Sequence, residues 1–75
     1  MKVTMYSKDS CPFCVLATRL LEKHKIEYEE KKLDKDFNRD EILSQFPNAR
    51  TFPIIEVDNK WIGGYNELYD LLVAV

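Results

Sequence analysis

A short motif, Cys11–Pro12–Phe13–Cys14, sits where one hydrophobic period stops and another begins, and this junction restricts the fold more than any other feature. Upstream, Val3 and Met5 alternate with Lys2, Thr4 and Tyr6, the period of two expected of a strand. Downstream, Phe13, Leu16, Ala17, Leu20 and Leu21 follow the i, i+3, i+4, i+7, i+8 spacing of one helix face. Pro12 suits the first helical position, where its missing N–H has no intrahelical partner to lose. Lys23, His24 and Lys25 then put positive charge at the helix end, where the helix dipole favours it.

The rest of the chain continues the alternation. Ile26 and Tyr28 open a second strand, which fades into the run Glu29–Glu30–Lys31–Lys32. Charge on a strand marks a sheet edge, because it blocks unwanted pairing. The run cancels its own charge and reads as a solvated face. Asn38 followed by Glu41 predicts a helix start, with Ile42 and Phe46 on one face and Pro47 as its stop. Ile54, Ile55 and Val57 form a short apolar strand. Asp58–Asn59 is a two-residue turn into Lys60–Trp61–Ile62, and Gly63–Gly64 ends that strand. Asn66 is placed to cap a last helix with Leu68, Leu71, Leu72 and Val75 on its apolar face. The predicted order is β-α-β-α-β-β-α. A strand–helix–strand opening implies a parallel pair with a right-handed crossover. The later hairpin implies an antiparallel pair. The expectation is an α/β fold, a mixed four-stranded sheet with helices on both faces, in a single domain over residues 1–75.

Composition narrows the function. A chain of 75 residues buries only about 60% of its unfolded surface, so its 45% hydrophobic content supplies one core. Charged residues of both signs make up 32%, with a net charge of −2. A nucleic-acid binder would show a basic stripe instead. No apolar run approaches the roughly 18 residues of a membrane span, and the N-terminus is too polar for a signal peptide. The expected location is the cytoplasm, where lasting structural disulfides are rare and a close cysteine pair is more often catalytic or metal-binding.

The spacing of the pair favours redox chemistry. Residues i and i+3 at a helix start lie about 5–6 Å apart, within disulfide reach. Unpaired N–H groups and the helix dipole both favour a thiolate at Cys11. Raising the thiolate fraction from about 3% to about 90% at pH 7 needs roughly 3.4 kcal/mol. A helix end supplies about 0.3–2 kcal/mol, so hydrogen bonds to the sulfur must provide the rest. Cys11 is therefore expected to attack, and Cys14, one turn in and more covered, to resolve. A structural disulfide over so small a loop stabilises little. Zinc usually needs four ligands, and the chain offers two cysteines and one histidine, His24, at the far end of the same helix. No metal is expected within one subunit. A cluster shared between two subunits stays open as an alternative.

Arg50–Thr51–Phe52–Pro53 precedes the third strand. Proline opening a strand removes a ladder N–H, and a strand that reads as central makes a cis Phe52–Pro53 bond worth proposing. Taken together, Tyr6–Ser7–Lys8 leading to Cys11–Pro12–Phe13–Cys14, then Thr51–Phe52–Pro53, then Gly63–Gly64–Tyr65 and a following helix, resemble the glutaredoxins. The likeness runs from Lys2 to about Leu72.

The resemblance implies a thioredoxin-like fold with Pro53 cis and facing the cysteines. It implies glutathione as reductant and co-substrate, and glutathione mixed disulfides and protein disulfides as substrates. In similar proteins glutathione lies extended beside the residue before the cis-proline. Carried over, Phe52 pairs with its backbone, Thr51 and Phe13 line the groove, and Lys8 and Arg50 meet the glycyl carboxylate. Gly64, Tyr65 and the N–H groups of Asn66 and Glu67 hold the γ-glutamyl end. Disulfide-bearing proteins are the implied partners, with a ribonucleotide reductase as a family-level example. No nucleic acid or membrane partner is expected, and the chain is expected to be a monomer. Three positions depart from the family pattern: Asn66 and Glu67 where relatives carry an acidic or hydroxyl residue and then Asp, and Ile54 where many carry glutamine. Two other readings share the fold. One is an electron donor served by a thioredoxin reductase, although such relatives usually lack the glycine pair. The other is an iron–sulfur carrier using Cys11 and glutathione, against which Pro12 speaks.

Overall fold

The computed structural model describes residues 1–49 and 51–73. Its elements follow the predicted order: β1 (Val3–Ser7), α1 (Pro12–Lys23), β2 (Tyr28–Lys32), α2 (Arg39–Gln45), β3 (Ile54–Val57), β4 (Lys60–Gly63) and α3 (Tyr65–Leu72). The sheet order is β2-β1-β3-β4. β1 pairs parallel with β2 and antiparallel with β3, and β3 pairs antiparallel with β4. The charged β2 is an edge, and β3 is central, as its composition predicts.

Alternation along β1 and β3 divides the core between the two sheet faces. Val3, Met5 and Ile55 pack with Ala17, Leu20 and Leu21 of α1 and Leu68 of α3. Tyr6 and Ile54 pack on the opposite face with Phe37, Ile42 and Phe46, around α2. Leu21 is fully buried, and burial of such a side chain contributes about 1.5–3 kcal/mol.

Local chemistry sets the element ends. Asn38 Oδ1 accepts the Glu41 N–H at 2.8 Å while Glu41 Oε1 accepts the Asn38 N–H at 3.0 Å, a complete capping box. α1 closes with Lys25 left-handed (φ 56°), where its N–H reaches Glu22 O and the Ile26 N–H reaches Leu21 O, both at 3.0 Å. This is the Schellman arrangement, with lysine where glycine is usual. Asp58 and Asn59 both have positive φ, 52° and 68°, the conformation of a type I′ hairpin turn.

The structure corrects several expectations. α1 buries Cys14 with Ala17, Leu20 and Leu21, whereas Phe13 and Leu16 are 54% and 40% exposed, because the sheet and α3 cover only part of the predicted stripe. α3 starts one residue after Gly64, which takes the cap position assigned to Asn66. Glu67 reaches back to the Gly64 N–H and fixes the start there. Leu71 is exposed, and Tyr65 packs against the core beside Leu68 and Leu72 instead. Val75 lies outside the described residues. Trp61, in β4, is 42% exposed and lies against Phe46 with ring centroids 6.4 Å apart. The charge run is not wholly solvated: Lys31 Nζ sits 5.7 Å from the Tyr6 ring centroid, and Glu30 accepts a hydrogen bond from Ser7.

Candidate active site

β1 ends at Ser7, and the loop Lys8–Ser10 carries the chain over the sheet end into α1. Ser10 turns it with φ 56°. Cys11 follows in extended conformation as the N-cap of α1, and Pro12 is the first helical residue. A sulfur thus stands where a Ser, Thr, Asp or Asn oxygen usually caps a helix. Cys11 Sγ accepts the Cys14 N–H at 3.2 Å. The first turn carries no acidic residue, so nothing on the helix itself opposes negative charge on that sulfur.

Cys11 and Cys14 are joined by a disulfide, with Cα atoms 5.2 Å apart. Their exposures are 8% and 4%, so the expected difference in cover is small. The two sulfurs differ by position instead. One caps the helix and accepts a backbone N–H, and the other lies a turn inside.

The remaining expected residues come together across the sheet end. The Phe52–Pro53 bond is cis, and Pro53 is buried just before β3. Phe52 lies outside the strand ladder, which begins at Ile54. Phe13, Thr51, Phe52, Pro53, Gly64, Tyr65, Asn66 and Glu67 line one cavity of about 190 Å³. The Phe13 and Tyr65 rings meet across it with centroids 6.1 Å apart. The glycine pair has a steric reason at each position. Gly63 has φ 128°, and a Cβ on Gly64 would lie 3.1 Å from the Pro53 carbonyl oxygen. Gly64 has no side chain to cap α3, so the first-turn N–H groups keep no side-chain acceptor. Its own N–H donates to Glu67 Oε1 at 2.7 Å.

Lys8 stands on the other side of Phe52, with Nζ 5.7 Å from the ring centroid. With Cys11, Phe13, Thr51 and Phe52 it borders a second cavity of about 330 Å³. Arg50, the expected second cation, lies outside the described residues. Arg39 borders this cavity and was not foreseen. Its sequence signal is only that it follows the N-cap Asn38. Where that helix start points depends on how α2 packs.

A third cavity, on the β2 side, touches both cysteines and Glu30. Tyr28, beside Glu30 along β2, has its phenol raised above its usual value, first by burial and then by the Glu22 and Glu30 carboxylates. Tyr6 is raised likewise by burial and by Glu56, whose Oε1 lies 3.2 Å from its hydroxyl.

The sequence model of the family described as Glutaredoxin matches residues 3–62. A probable glutaredoxin of Synechocystis sp. is 34% identical over 71 residues, covering 93% of this chain and 81% of its own length. The solved structure of glutaredoxin 1 from Francisella tularensis, complexed with cacodylate, superposes with a TM-score of 0.77 at 30% identity, covering 89% of this chain and 86% of that one. A buckwheat glutaredoxin–glutathione complex superposes with a TM-score of 0.75 at 26% identity, over 87% of this chain and 62% of its own.

Proposed function

Because this chain belongs to the glutaredoxin family of thiol–disulfide oxidoreductases, we propose that glutathione is its reductant and that it acts on glutathione mixed disulfides and protein disulfides. The observation that carries this reading is the cavity that meets the α1 N-terminus at Phe13, walled by the cis-Pro53 loop and by a helix start that glycine leaves uncapped.

A tripeptide with a carboxylate at each end suits that geometry. The open N–H groups of Asn66 and Glu67 receive the γ-glutamyl carboxylate, and the Glu67 carboxylate lies beside them for its ammonium group. The backbone of Phe52, which lies outside the β1–β3 ladder, pairs with the extended cysteinyl unit. Lys8 and Arg39 draw the glycyl carboxylate to the opposite end. Tyr65 and Phe13 cover the middle of the groove.

The reaction follows from the position of Cys11. Its thiolate attacks the glutathionyl sulfur of a mixed disulfide, a new S–S bond forms, and the substrate protein leaves as a thiolate. A second glutathione thiolate then attacks the glutathionyl sulfur, giving glutathione disulfide and restoring Cys11. On protein disulfides, Cys14 attacks Cys11 instead and releases the substrate as a dithiol. Disulfide-bearing proteins are the partners in this scheme.

The test compares wild type with Cys14→Ser. The variant is expected to keep activity on a glutathione mixed disulfide and to lose it on a protein disulfide. Loss of both activities would remove glutathione from the scheme. Turnover with NADPH and thioredoxin reductase, with no glutathione present, would transfer the role of reductant to that enzyme.

A further inference from the structure

The cavity on the β2 side of the disulfide is the largest at the site, about 430 Å³, and lies away from the groove proposed for glutathione. Cys11, Cys14 and Thr18 form one wall and Glu30 and Lys32 another. Independent features turn the Glu30 carboxylate to the α1 side of the sheet, where it shares this cavity with Cys14. The parallel register sets Glu30 beside Met5, and Met5 belongs to the core under α1. Alternation therefore directs Tyr28, Glu30 and Lys32 to the α1 side of the sheet. The crossover helix runs antiparallel to β2, and the Thr18 side chain lies near the Tyr28 phenol, whose pKa it lowers against the larger effect of burial. Four helix residues rise about 6 Å, and two strand residues rise about 6.6 Å. Cys14, one turn before Thr18, thus comes level with Glu30, two residues after Tyr28. Finally, Ser7 is 1% exposed, and its hydroxyl donates to Glu30 Oε2 at 2.9 Å, which holds the carboxylate in place.

We propose that Glu30 accepts the proton of the Cys14 thiol, through water in this cavity, as Cys14 attacks the mixed disulfide on Cys11. The role rests on the dithiol reading above. In this step the Cys14–Cys11 S–S bond forms and the bond from Cys11 to the substrate sulfur breaks. The substrate departs as a thiolate, and the proton passes to Glu30 and on to solvent. No further oxidant or reductant takes part. The other charged or titratable groups around Glu30 are Lys32 and Tyr28 on its own strand, Lys8 and Asp9 in the loop before Cys11, and Glu22 on α1, which acts on Tyr28. Lys32 Nζ is paired with Asp9 at 3.6 Å. Among these, Glu30 is the carboxylate that Ser7 holds.

Glu30→Gln separates basicity from placement, because the amide oxygen still accepts from Ser7. Reduced full-length protein is mixed with one equivalent of an aryl disulfide whose released thiolate absorbs visible light. The first release reports attack by Cys11, and the second reports attack by Cys14. The second phase is expected to slow about tenfold in Glu30→Gln at pH 7, the low side for a positioned base because the cavity is open to water. The first phase stays unchanged. The gap narrows as pH rises through the ordinary thiol range of about 8.5, where hydroxide competes with a carboxylate for the proton. Ser7→Ala keeps the carboxylate but frees it, and gives a smaller slowing. An unchanged second phase in Glu30→Gln overturns the proposal. A faster one does so too, since the carboxylate would then only repel the forming thiolate. Release of only one equivalent of thiolate per wild-type protein ends the dithiol reading and the Glu30 role with it.

Discussion

Gly64→Ala tests whether the two walls of the groove meet as described. The added Cβ would stand 3.1 Å from the Pro53 carbonyl oxygen and 3.8 Å from Glu67 Oε1. The second distance is ordinary contact. The first is short by a few tenths of an ångström, and its partner is backbone locked at the start of a central strand. Gly64 has φ −117°, which other residues also adopt, so the effect comes from the contact alone. Overpacking of this kind costs about 1–3 kcal/mol. The loss of unfolded-state freedom offsets about 0.4–1 kcal/mol. The expected net destabilisation is about 1 kcal/mol, or a Tm lower by about 4–8 °C for a domain of this size. The α3 start must also move away from Phe52 and Thr51, so the KM for a glutathione mixed disulfide should rise about three- to tenfold, as small misplacements do. Attack on a small aryl disulfide that does not fill the groove should keep its rate. Calorimetry and steady-state kinetics on the two substrates read these effects. An unchanged Tm together with an unchanged KM would refute the contact and, with it, the shape of the groove.

Other perturbations have equally definite outcomes. Lys25→Gly relieves a left-handed non-glycine residue at the end of α1; against the entropy cost of glycine it should stabilise by about 0.5 kcal/mol, seen as a Tm higher by a few degrees. Arg39→Gln should raise the KM for a glutathione mixed disulfide severalfold at low salt, with a difference that shrinks as ionic strength rises. Tyr6 is raised above its usual value of 10.0, first by burial and then by Glu56. Its stabilising contribution is therefore whole below pH 10 and is lost as pH climbs through the folded-state value. Denaturant titrations should show stability falling above pH 10, and Tyr6→Phe should lessen that slope.

Much of the fold was legible because it depends on neighbours in sequence. The type and order of the elements, the Asn38 capping box, the Asp58–Asn59 turn and Pro12 at the first helical position are all short-range effects, and these appear as expected, although β2 begins at Tyr28 and leaves Ile26 outside it. The charged β2 at the edge follows from composition. Cys11 and Cys14 were legible for the same reason, since three residues at a helix start set their separation. The groove was reached through resemblance, because Thr51–Pro53 and Gly64–Glu67 are distant from Phe13 in sequence and only a shared pattern links them.

Packing decided what periodicity left open. An amphipathic stripe states which residues can face a core, but the width of the covering surface decides which do; Phe13 and Leu16 stay exposed and Cys14 takes a buried place. Charged runs hide similar choices. Glu30 and Lys31 are adjacent in one charged run, yet strand alternation sends one to the α1 side of the sheet, onto Ser7, and the other across the sheet onto Tyr6. Sequence by itself determined the elements, their order and the reactive pair, because those rest on local backbone and side-chain preferences. The tertiary structure alone decided which charges surround the sulfurs, because Arg39 and Glu30 arrive there from α2 and β2 through the packing of whole elements.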